Sequence, residues 1–158
     1  MTGPRQEFMR DAIAAALAGL RAGEGGPFGA LVARGDEVLA VACNRVLARK
    51  DPTAHAEVEA IRAACAKLGS RSLEGCDLYA TCEPCPMCLA ASYWARLDRV
   101  FYACDRADAE RAGFDDARVY RELSLPPAER SLPLLPFERE AGLATFRAWS
   151  EKPDRTLY

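Results

Sequence analysis

Apolar residues recur at Phe8, Ala12, Ala16 and Leu20, with Arg5, Glu7, Arg10, Asp11 and Arg21 among and around them. That spacing predicts an amphipathic helix over residues 4–21, ended by the run Gly23-Glu24-Gly25-Gly26-Pro27. Two apolar runs at 28–33 and 38–43 flank Arg34-Gly35-Asp36-Glu37, a tight-turn sequence that predicts a hairpin. Asp51-Pro52-Thr53 supplies start signals for a helix over 54–68. Residues 76–81 read as a buried strand, Glu83-Pro84 opens a helix to about 94, and 99–103 reads as a fourth strand. A short helix at 115–123 stops before Pro126-Pro127, a fifth strand is expected near 132–137, and a last helix covers 143–151. A hairpin followed by helix-strand-helix-strand predicts an α/β fold, a three-layer α-β-α sandwich in a single domain spanning residues 1–158.

Composition narrows the class of protein. With 158 residues the chain suits one globular domain with a sizeable core. Lys and Arg total 21 against 23 for Asp and Glu, a net charge of −2, whereas a partner of nucleic-acid backbone carries a positive surplus. No nucleic-acid partner is expected. The apolar stretch at 13–20 is too short to span a bilayer, and Glu7 and Asp11 just before it argue against a signal peptide. The expectation is a cytoplasmic protein with no membrane partner. Seven cysteines, three of them within 82–88, do not suit a disulfide framework and point to metal binding in a reducing compartment. Cys43, Cys65, Cys76 and Cys104 sit in apolar stretches and read as small core residues. The one histidine, His55, excludes any mechanism that needs two.

The chemistry gathers in two short segments, His55-Ala56-Glu57 and Pro84-Cys85-Pro86-Met87-Cys88, each opening a predicted helix. Cys85 and Cys88, three residues apart, can aim both sulfurs at one point from one helical turn. The positive end of the helix dipole there favours the thiolates a metal needs. His55 is the third ligand, which leaves a fourth position open, as catalytic zinc requires. Glu57 is a poor fourth ligand but can reach water on the metal. Zinc lowers the pKa of that water toward 7, so that hydroxide can attack, and a neighbouring carboxylate can shuttle the proton. Glu59, by contrast, reads as a solvated residue of the helix face. A Cys-x-x-Cys pair alone is shared with redox pairs and closed structural zinc sites, and Cys82 is the fourth ligand such a closed site would use. Both halves together, His-x-Glu and Pro-Cys-x-x-Cys, are the signature of zinc deaminases.

On these residues the chain resembles the cytidine deaminase-like (CDA) superfamily and, within it, the bacterial guanine deaminases. The resemblance runs through Gly25-Gly26-Pro27-Phe28-Gly29-Ala30, Asp51-Pro52-Thr53-Ala54-His55-Ala56-Glu57-Val58 and Cys82-Glu83-Pro84-Cys85-Pro86-Met87-Cys88-Leu89. It continues in Tyr93-Trp94-Ala95-Arg96, Ala112-Gly113-Phe114-Asp115-Asp116, the region 146–149 and the terminal Tyr158. It implies a five-stranded mixed sheet flanked by helices, one Zn2+ per chain, and a homodimer that exchanges C-terminal segments of about 137–158. It also implies a small-molecule purine substrate, guanine, converted to xanthine and ammonia. In that reaction C2 is attacked, and one mobile acid, Glu57, protonates the neighbouring ring nitrogen and then the departing amine. By the same resemblance Asn44 hydrogen-bonds the purine edge, and Ala56 offers its backbone N–H to the substrate carbonyl. Phe28 and Trp94 pack the ring, Asp116 faces the amino group, and Tyr158 closes the pocket. Asp115 adjoins Asp116, and the two roles can be exchanged.

Other readings stay open at this level: deamination of guanosine or another aminated heterocycle, a tRNA adenosine deaminase, or a non-catalytic zinc-stabilised interaction module. A tRNA enzyme should carry a basic surface, and the chain after Cys104 mixes acids and bases without a run.

Overall fold

A computed structural model describes residues 3–157. The chain divides into two compact units, one up to Arg121 and one from Glu122 onward.

In the first unit, strands β1 (Gly29–Arg34), β2 (Glu37–Cys43), β3 (Asp77–Cys82) and β4 (Arg99–Cys104) form a mixed sheet in the order β2-β1-β3-β4. β1 runs antiparallel to both β2 and β3, and β3 runs parallel to β4. Central β1 is buried from Gly29 to Ala33, and its side chains alternate between two cores. Leu31 and Ala33 pack with Phe8 and Ala12 of helix α1 (Gln6–Arg21), where Phe8 meets the Tyr79 ring edge-on at 5.5 Å. Ala30 and Val32 pack on the other face with Ala56, Ala60, Ile61 and Ala64 of the helix Ala56–Leu68. Helix, sheet and helix thus make the expected three layers. On α1 the sheet-facing stripe is Phe8, Ala12, Ala16 and Gly19, whereas Leu20 is 47% exposed.

Seven helices are described: α1, α2 (Val46–Arg49), α3 (Ala56–Leu68), α4 (Pro86–Trp94), α5 (Arg106–Arg111), α6 (Asp116–Ser124) and α7 (Arg139–Glu151). Two of them, α2 and α5, are shorter than the hydrophobic pattern could reveal. The expected fifth strand is not there: among the described residues the sheet has four strands, and 132–137 is irregular. Pro133 and Pro136 have no N–H to donate to a ladder, which outweighs the apolar run that suggested a strand.

Two further expectations are corrected. Glu59 is buried rather than solvated, with Arg49 2.7 Å and Arg62 3.4 Å away. Cys104 is exposed at the end of the edge strand β4, and Cys43 and Cys65 are only half-buried, so Cys76 alone of the four is a core residue.

The second unit contains the turn Pro127–Glu129 and α7, and no residue from 122 to 157 is buried. Among the described residues, no helix is long and apolar enough to cross a membrane.

Candidate active site

Two helix starts face each other. His55 occupies the extended position just before α3, and Cys85 does the same before α4, where Pro86 fills the first turn without a wasted amide. The loop entering α4 is tied down on both sides. The Glu83 amide donates to the Cys104 carbonyl at 2.8 Å, Arg106 pairs with the Glu83 carboxylate at 3.1 Å, and the Tyr120 hydroxyl donates to the Pro84 carbonyl at 2.8 Å.

His55 Nδ1 then lies 3.6 Å from Cys85 Sγ and 3.5 Å from Cys88 Sγ. Tetrahedral zinc, with Zn–N near 2.0–2.1 Å and Zn–S near 2.3 Å, sets nitrogen and sulfur about 3.6 Å apart. The donor spacing therefore fits zinc. Among the described residues these three alone form such a cluster, all donor atoms within 4.8 Å of one another. Cys82 is not a fourth member, since its thiol points to the Asp105 carbonyl at 3.5 Å. Three protein donors define an open site rather than a closed structural one.

The three groups perturb one another strongly. A hydrogen bond from Cys88 draws the Cys85 thiol down to about 4, and His55 and the Cys88 amide add to this. Cys88, the donor, is pushed the other way, and His55 is raised chiefly by Cys85. The Cys85 thiolate so favoured sits just before α4, at a helix N-terminus where the dipole stabilises negative charge. Glu57, in the first turn of α3, is 7% exposed, and burial lifts its carboxyl above the ordinary range. Burial also raises Asp116, with the Cys85 sulfur contributing.

A cavity of about 390 Å³ opens onto the cluster, lined among others by Phe28, Asn44, His55, Glu57, Cys85 and Asp116. Asn44, 5% exposed, accepts the Gly26 and Val46 amides on Oδ1, both at 3.2 Å, which leaves its NH2 group to donate. Gly25 makes this possible, because a Cβ there would lie 2.1 Å from Asn44 Oδ1. Ala56 is fully buried as the first residue of α3, whose leading amides have no acceptor within the helix. Trp94 is not brought to the cavity: it is 73% exposed at the far end of α4. Tyr158 lies outside the described residues. Phe114 also lines the cavity, a role not assigned from sequence although Ala112-Gly113-Phe114 ends α5 with a helix-stop signal.

Residues 3–104 match the sequence family described as the cytidine and deoxycytidylate deaminase zinc-binding region. The chain belongs to that family, and zinc is the metal its donor cluster fits. It is 45% identical to the guanine deaminase of Bacillus subtilis strain 168 over 97% of this chain and 98% of that protein. An X-ray structure of guanine deaminase from Bacillus subtilis superposes with a TM-score of 0.94 at 44% identity, covering 99% of each chain. Identity to the tRNA-specific adenosine deaminase of Aquifex aeolicus is 40% over 63% of this chain and 65% of that one.

Proposed function

We propose that this chain is a zinc-dependent hydrolase that deaminates guanine to xanthine and ammonia. The observation that carries the reading is the end-to-end likeness to a guanine deaminase, which extends through the segment after Cys104. The likeness to the tRNA-specific adenosine deaminase covers 63% of the chain.

The site residues suit that chemistry. Zinc held by His55, Cys85 and Cys88 supplies the Lewis acidity that makes water a nucleophile at neutral pH. Glu57, buried and inclined to hold a proton, takes one from the attacking water and delivers it to the ring nitrogen beside C2, then takes the proton of the new C2 hydroxyl and delivers it to the departing amine as the C2–N bond breaks. Asn44 donates its amide to the purine edge, the Ala56 N–H reaches the carbonyl, and Phe28 packs the ring. Asp116 faces the amino group undergoing departure. Ammonia release from guanine, guanosine, adenine and cytosine by the zinc-loaded protein tests the reading. Guanine as the preferred substrate supports it, and preference for any of the other three contradicts it.

The active species in this reading is a homodimer with exchanged C-terminal segments. Its support is that residues 122–157 bury nothing, although they include Leu135, Phe137 and Phe146. A segment of that size cannot hold a core alone and gains one from a second copy. Tyr158 of the partner then closes the pocket.

A further inference from the structure

A second cavity of about 240 Å³ adjoins the first and shares Phe28, Cys82 and Phe114 with it. Its other walls are mostly small or apolar, Pro27, Ala109, Ala112 and Cys104, together with Thr81 and the charged Asp108. The two spaces meet at an aromatic pair: the Phe114 ring stands edge-on to Phe28, centroids 4.7 Å apart and planes at 79°. Such a pair is the favoured geometry of two rings and holds both in place.

Local sequence sets where Phe114 stands. Asp105 and Asp108 cap the start of α5 reciprocally, each side chain bonding the other's amide. At its end the Gly113 amide reaches the Glu110 carbonyl at 3.0 Å and the Phe114 amide reaches the Ala109 carbonyl at 3.0 Å. Gly113 has φ 94°, a left-handed conformation that glycine adopts without strain. The two bonds form the Schellman stop, and they deliver Phe114 to the wall between the cavities.

We propose that Phe114 determines substrate size, as a partition that keeps the neighbouring, mostly apolar pocket closed to substrate. The inference rests on the guanine reading above. In a purine the five-membered ring lies away from C2, so groups carried on N7, C8 or N9 are what a partition would stop. With the partition in place the cavity accepts the bare base. Without it the two spaces join and alkylated guanines fit.

The experiment compares kcat/KM for guanine, 7-methylguanine, 8-methylguanine and 9-ethylguanine in the zinc-loaded wild type, Phe114→Ala and Phe114→Tyr. For at least one alkylated guanine, Phe114→Ala should raise the ratio to guanine by at least about tenfold, the scale on which pocket size discriminates. The gain should come through KM, and Phe114→Tyr should keep the wild-type ratio. A parallel fall for all four substrates would show that Phe114 only supports the fold, and would overturn the proposal. A wild type inactive on guanine would sink the substrate reading instead. Equilibrium binding of the same four purines to wild type and Phe114→Ala would then decide the partition, with unchanged relative affinities counting against it.

Discussion

His55 Nδ1 faces Cys88 Sγ at 3.5 Å across 33 residues of sequence, each held at the start of a different helix. Neither residue can move to compensate for loss of the other, because α3 and α4 are both packed into the core. Cys88→Ala should therefore lose zinc affinity by more than the roughly 10–100-fold that removing a mere ligand-supporting residue costs. Metal analysis of the purified variant checks this, and full zinc occupancy would remove Cys88 from the ligand set.

Glu57→Gln should keep zinc and fold yet lose turnover by at least the roughly 10²–10⁴-fold of one acid–base step. Gln preserves shape and hydrogen bonding but carries no proton between the ring nitrogen and the amine. Turnover within tenfold of wild type would assign the proton to another group.

Asp116 separates activity from stability. Burial raises its carboxyl, so between its ordinary value and the raised one the folded protein binds more protons than the unfolded chain. Stability is then lost as pH rises through that window, and the cost is fully present at neutral pH. Asp116→Asn has no charge to desolvate. It should raise the urea midpoint at pH 7, lose that advantage well below the ordinary Asp range, and deaminate guanine more slowly. A lower midpoint at pH 7 would contradict the assignment.

Gly25→Ala should act on the substrate through Asn44. A Cβ 2.1 Å from Oδ1 forces Asn44 off the Gly26 and Val46 amides. The expected results are a raised KM for guanine, near-normal zinc content and a stability loss of about 1–3 kcal/mol. An unchanged KM would separate Asn44 from substrate binding.

How much of this was legible in the sequence depends on how local each signal is. The donors were readable because His55-x-Glu57 and Cys85-x-x-Cys88 each lie within one turn at a helix start, so spacing alone aligns them. The hairpin and the layers followed from periodicity for the same reason. The fifth strand misled because Leu132-Pro133-Leu134-Leu135-Pro136 is apolar like a buried strand, while its prolines cannot join a ladder. The stripe on α1 departs from its hydrophobic pattern at Leu20 because helix phase, not hydrophobicity, turns Gly19 to the sheet. The role of Phe114 is not legible in the sequence because its place depends on a six-residue helix, too short for a hydrophobic pattern, and on a meeting with Phe28 far away in sequence. Glu59 escaped because its two arginine partners, not its own character, let it be buried.

The most direct test of the account couples metal to turnover. Protein stripped of metal by a chelator is titrated with zinc while xanthine formation from guanine is followed. Activity should rise in proportion to bound zinc and stop at one zinc per chain, with Glu57→Gln binding the same amount and staying inactive. Xanthine formation by the metal-free protein, or zinc-saturated wild type that releases no ammonia from guanine, would contradict it.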